Sequence, residues 1–96
     1  MKLLSDDDIR LRLAALPGWT RDGNAIRRSY KFNSFASAIA FVNRVAKLAE
    51  AADHHPDIDI RYNRVEVLLS THSAGGLTAR DTNLATGIEE TAEPPT

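Results

Sequence analysis

The chain of 96 residues contains no cysteine. Disulfides, cysteine-ligated zinc, iron–sulfur clusters and thiol nucleophiles are thereby excluded. It also lacks any apolar run near the ~20 residues that a membrane-spanning helix needs, so no membrane partner is expected. The N-terminal Met1-Lys2-Leu3-Leu4-Ser5-Asp6-Asp7-Asp8 has no apolar stretch after its lysine and does not read as a signal peptide. The expectation is a cytoplasmic protein. No internal repeat or low-complexity segment is present. Nor does one sign of charge dominate: twelve Lys and Arg stand against thirteen Asp and Glu, a formal net charge of −1 with the histidines neutral. Nucleic-acid binders are usually basic overall, so no nucleic-acid partner is expected.

What is present suits one small domain spanning residues 1–96. With 43% hydrophobic residues, a modest core is feasible without metal or disulfide staples. The near-neutral total hides an asymmetry. Residues 1–49 carry nine basic and four acidic side chains, a balance of +5, and residues 50–96 carry three basic and nine acidic, a balance of −6. All three histidines lie in the acidic half. Complementary packing of the two halves, or pairing of subunits, would account for such a division.

Ser5 followed by three aspartates reads as a helix N-cap, with acids meeting the positive end of the helix dipole. Ile9, Leu13 and Leu16 follow at helical spacing, and Pro17-Gly18 stops the helix. Trp19 to Phe32 reads as a hairpin turning at Asp22-Gly23, with Ile26, Arg28, Tyr30 and Phe32 alternating along its second strand. Asn33 or Ser34 caps a long second helix. Its apolar stripe is Phe35, Ile39, Val42, Ala46 and Ala49, widened by Ala38, Phe41, Val45 and Leu48. Pro56 disfavours helix in the residue before it, so the helix should end near His55. Ile58, Ile60 and Tyr62 alternate as a third strand, Asn63 turns, and Val65, Val67, Leu69 and Thr71 alternate as a fourth. Gly75-Gly76 reads as a flexible connection, Thr78 opens a last helix, and Leu84, Ala85 and Ile88 face inward. Residues 1–4 and 90–96 are expected to fray. The order α-β-β-α-β-β-α with short connections implies an α+β domain, three helices on one face of a four-stranded antiparallel sheet. The other sheet face and the edges then need cover, which suggests an oligomer.

The densest chemistry lies in Glu50-Ala51-Ala52-Asp53-His54-His55-Pro56-Asp57-Ile58-Asp59, which holds four carboxylates and two histidines. Carboxylates and the negative end of a helix both favour imidazolium, so a histidine holding a proton near neutral pH, as a general acid does, is expected here. A plain polar helix terminus is the alternative. Metal binding by His54, His55, His72 and Asp81 would need local distortion, since adjacent residues on a helix point ~100° apart, and no metal is expected. Ser70, Thr71 and Ser73 flank His72, but no nucleophile turn marks them. Thr78-x-x-Asp81 resembles a capping box, which could explain Asp81 alone. Gly75-Gly76 could offer N–H groups to an anion, though a mobile turn explains them as well.

Taken together, these residues resemble the signature of the pterin-4a-carbinolamine dehydratases. The pattern is Glu50, three residues, His54-His55-Pro56, five residues, Tyr62, nine residues, His72, eight residues, Asp81. Around it Ser70-Thr71-His72, Gly76-Leu77-Thr78, Arg80-Asp81 and Asn83-Leu84-Ala85 are similar to the family as well. The resemblance implies dehydration of a 4a-hydroxytetrahydropterin, left by aromatic amino acid hydroxylases, to the quinonoid dihydropterin. It implies no cofactor or metal, homodimers or homotetramers, and a functional link to a hydroxylase. It implies His54 and His72 as proton donors to the leaving hydroxyl, one for each pterin face, with His55 binding the pterin and helping to orient or deprotonate it. Glu50, Asp53 and Asp81 would tune and hold the histidines, Asp53 or Glu50 could accept pterin N–H groups, Pro56 would fix the turn, and Ser70 and Thr71 would support the substrate. A non-enzymatic dimerisation, regulatory or assembly module on the same fold is the alternative.

Overall fold

The computed structural model describes residues 2–92. The chain forms helix α1 (Asp6–Ala14), strands β1 (Thr20–Asp22) and β2 (Ala25–Lys31), helix α2 (Phe35–Ala52), strands β3 (Asp57–Arg61) and β4 (Arg64–Leu69), a 3₁₀ turn (His72–Ala74) and helix α3 (Ala79–Ala92). The four strands make one antiparallel sheet in the order β1-β2-β4-β3. The expected α+β architecture is thus the observed one.

Opposed residues in a ladder share a face, so the register sorts the sheet. Ile26 pairs with Leu69, Tyr30 with Val65, and Ile58 with Val67. These side chains meet the helices, and Ile26, Val65, Val67 and Leu69 are fully buried. From α2, Phe41 enters this layer, its ring 4.8 Å from Tyr30 and 5.0 Å from Phe32. Ile9, Leu16 and Trp19 close one end, and Leu84, Ala85 and Ile88 of α3 another.

The outer sheet face is charged: Arg27 bridges Asp22 and Glu66, and Ser29 donates to Glu66. This polar face therefore needs no apolar cover. The open backbone groups lie along the two edge strands, β1 and β3, which among the described residues pair only with β2 and β4 respectively.

Several boundaries differ from expectation. The buried line of α2 is Ala38, Phe41, Val45 and Ala49, while Phe35 is 51% exposed. An apolar band wider than half the helix leaves the inward line undetermined by spacing alone. The helix ends at Ala52, not near His55, because Asp53 turns left-handed at φ 49°. Tyr62 lies outside β3, in the turn, also left-handed at φ 54°. Gly75-Gly76 is no loose connection. Thr71 and Gly76 form a bridge, and the Thr71 carbonyl accepts from the N–H groups of Ala74, Gly75 and Gly76. Gly75 supplies the positive φ of 76° this turn needs. The same bonds occupy the N–H groups that could have met an anion. Neither expected frayed end holds throughout: Leu4 N–H bonds the Leu77 carbonyl, and α3 continues through Glu90 to Ala92. Glu89 explains that length, accepting from Trp19 Nε1 at 3.0 Å and Tyr30 Oη at 2.5 Å and pairing with Arg28 at 2.8 Å. Met1 and residues 93–96 of those expected tails lie outside the described residues.

Candidate active site

Asp81 is the centre of the site. Its side chain is completely buried at the start of α3. Oδ2 accepts from the Thr78 backbone N–H at 2.9 Å, which closes the capping box expected from sequence, and from the Thr71 hydroxyl at 2.7 Å. Oδ1 faces His54 Nε2 at 2.6 Å. Since the carboxylate is taking donors on both oxygens, the network assigns the proton on that nitrogen to His54. With its proton committed to Asp81, Thr71 receives the Thr78 hydroxyl at 2.8 Å. Thr78 Oγ1 in turn accepts the Arg80 N–H at 3.2 Å. The helix cap and the histidine contact are therefore one network. No buried side-chain polar atom among the described residues is left without a partner.

Local sequence explains how His54 arrives there. The N–H of Asp53 bonds the Glu50 carbonyl and that of His54 bonds the Ala49 carbonyl, the two bonds of a Schellman ending. Glycine usually takes the left-handed position. Asp53 takes it here, and the reversal throws His54 inward and His55 outward. His54 is 7% exposed. His55 is 59% exposed at the side chain, its Nε2 lying 2.9 Å from Glu50 Oε2, itself exposed. The two histidines are not on a helix, so the helical separation considered for them does not apply. Pro56, half-buried, leads straight into β3.

His72 sits elsewhere. Its exposed ring lines a groove of about 320 Å³ with Asp57, Leu68, Ser70, Asn24 and Ala25. Ser70 Oγ donates to the Asn24 carbonyl at 2.7 Å, fixing one wall. No hydrogen bond joins His72 to His54 or His55 among the described residues; the connection runs through the chain, from His72 to neighbouring Thr71 and on to Asp81. His54 reaches the surface at a separate crevice of about 420 Å³ between α2 and α3, lined also by Leu48, Ala52, Arg80 and Asn83. Among the described residues no three His, Asp or Glu side chains are grouped to hold one metal ion.

The groove residues Asn24 and Ala25 were not legible as site residues. They come from the first hairpin, and only the β2–β4 register brings them to Ser70. Asp57 was countable within the carboxylate cluster, and strand parity could have placed it on the outer face opposite Leu68.

The pterin 4 alpha carbinolamine dehydratase family model matches residues 2–91. A protein of Roseiflexus sp. (strain RS-1), provisionally named pterin-4-alpha-carbinolamine dehydratase, is 61% identical over 87 residues, covering 91% of this chain and 94% of its own length. A protein of the same provisional name from Thermomicrobium roseum is 56% identical over 92 residues, covering 96% and 99%. The crystal structure of a transcriptional coactivator/pterin dehydratase from Brucella melitensis matches with TM-score 0.92 at 39% identity, covering 95% of this chain and 99% of that one. A pterin dehydratase-like protein described as a RuBisCO assembly factor in the alpha-carboxysome matches with TM-score 0.65 at 20% identity, over 80% of this chain and 89% of that one, a likeness of fold alone.

Proposed function

The chain belongs to the pterin 4 alpha carbinolamine dehydratase family, and on that footing we propose that it dehydrates a 4a-hydroxytetrahydropterin to the quinonoid dihydropterin by histidine acid–base catalysis. The reaction breaks the C4a–OH bond, forms a C=N bond and releases a ring N–H proton. It is redox-neutral, so the pterin is substrate and no cofactor is called for. Hydroxide is a poor leaving group, and a positioned imidazole that protonates it as it departs contributes ~10²–10⁴-fold.

The single observation that carries this reading is the buried His54–Asp81 pair braced by Thr71 and Thr78. A carboxylate that fixes one imidazole nitrogen orients the ring and stabilises its protonated form while the other nitrogen exchanges the proton. We assign His54 and His72 to proton transfer, and His55 with Glu50 to the pterin ring, since both are exposed and already paired. Asp53, exposed at the turn, is the second acceptor for pterin N–H groups, and Ser70 shapes the groove beside His72. The product suits recycling after aromatic amino acid hydroxylation.

The test is to generate the 4a-hydroxypterin in situ with an aromatic amino acid hydroxylase and follow its disappearance. Dehydration should accelerate with this protein and return to the uncatalysed rate with the His54→Ala/His55→Ala double variant, whose circular dichroism should match the parent. Undiminished activity in that variant would refute the assignment.

A further inference from the structure

The first turn of α3 sends two adjacent side chains back to the end of α2. Asp81 holds the His54 ring. Arg80 holds the backbone instead: its Nη2 donates to the carbonyl oxygens of Asp53 at 2.5 Å and Ala52 at 3.2 Å. A helix ends with four carbonyls that its own N–H groups do not reach. Here the Schellman bonds satisfy those of Ala49 and Glu50, and Arg80 takes the two that follow Ala51. The last turn of α2 contains no basic residue. The positive charge that complements the negative helix end therefore comes across from α3.

We propose that Arg80 is a positioning residue that pins the Ala52-Asp53 turn and thereby sets where the His54 and His55 imidazoles point. The proposal rests on, and deepens, the reading of His54 as a proton-transfer group. Asp53 stands at φ 49°, a conformation that a residue with a Cβ keeps only where its surroundings over-determine it. His54 follows immediately, so a turn that relaxes carries the imidazole with it. Arginine suits the task because its planar fork presents several donors in fixed geometry while its charge survives any working pH. Arg80 also walls the crevice through which His54 meets solvent.

Arg80→Met and Arg80→Lys, made in the full chain, test this in the dehydration assay, with nitrogen-correlated NMR spectra of the histidine rings. A misplacement near 1 Å can cost ~10²-fold, so Arg80→Met should lose roughly 10- to 100-fold in kcat, and KM should rise with it because the same turn carries Asp53 and His55. The His54 and His55 ring resonances should move, and Arg80→Lys should recover part of both. If Arg80→Met does not fold, Arg80→Gln replaces it under the same criteria. A folded variant with parental kcat, or with unmoved ring resonances, would overturn the proposal. His54→Ala separates the two readings. Full activity there sinks the role of His54 in catalysis, whereas the ring resonances report on Arg80 whatever the assay gives.

Discussion

One buried carboxylate, Asp81, joins the cap of α3 to the ring of His54. Its Oδ2 caps α3 and its Oδ1 orients His54. Asp81→Asn keeps the shape, and the carbonyl oxygen of the new amide can still accept from Thr78 and Thr71. The amide N–H₂ then meets His54 Nε2, which must become an acceptor, so the imidazole is forced into the opposite tautomer. Losing charge-assisted bonds at a buried site should cost about 1–3 kcal/mol, read by urea unfolding. The activity loss should be larger, ~10²–10⁴-fold in kcat, because a wrong tautomer disables the proton transfer and not merely its placement. Activity within about threefold of the parent would remove the orienting role from Asp81. Both roles of this residue were partly legible: Thr78-x-x-Asp81 announced the cap, while the contact with His54 needed the fold, since the two residues are 27 apart in sequence.

At the scale of elements, most of the architecture could be read from the chain, because strand alternation and the cap residues Ser5 and Ser34 act locally. What escaped was set by contacts distant in sequence. The end of α2 was expected near His55 from Pro56, yet the left-handed Asp53 ends it earlier. Asp53→Gly is therefore informative. Relieving a Cβ from the left-handed region should stabilise the fold by about 0.5–1 kcal/mol after the entropy of the added glycine, or ~2–6 °C in Tm. The lost carboxylate should raise KM for the pterin by roughly tenfold or more, the worth of one hydrogen bond to a charged group. A variant neither stabilised nor weakened in KM would mean that the aspartate is there for another reason.

Glu89 is the other long-range case, standing just before the tail expected to fray and found pinning α3 to β2. Burial, then the hydrogen bond to Glu89, holds the Tyr30 hydroxyl well above the usual tyrosine value. The unfolded chain ionises Tyr30 near pH ~10 while the folded one keeps its proton, so above that pH the unfolded state binds fewer protons and stability falls as pH rises. Tyr30→Phe should lose about 1 kcal/mol near neutrality and flatten that alkaline decline, as seen by denaturant unfolding from pH 8 to 12. An unchanged alkaline slope would take Tyr30 out of the account.

For the whole molecule, the charge asymmetry of the two chain halves resolves only in part inside one copy. Arg27–Glu66 and Arg28–Glu89 join the basic half to the acidic half, whereas Arg21–Asp6 and Arg61–Asp59 stay within their own halves. Of the two sheet edges the longer is β3, Asp57-Ile58-Asp59-Ile60-Arg61, against three residues in β1, with Ile60 39% and Tyr62 71% exposed beside it. An open edge offers unpaired backbone groups to another strand, and a two-fold axis makes the same edge its own partner. Centred on Asp59, antiparallel self-pairing would set Ile58 of one copy against Ile60 of the other on the helix side, and Asp57 against Arg61 on the outer side. Only the central aspartates would face like charge, and Arg61 Nε already bonds Asp59 at 3.2 Å. We therefore expect self-association through β3. Sedimentation equilibrium should give a mass of at least two chains, and Ile60→Lys should shift it toward one chain without changing the fold. A parent protein that sediments as a single chain at micromolar concentration would exclude this pairing. An Ile60→Lys variant that keeps the parental mass would move the interface to another surface.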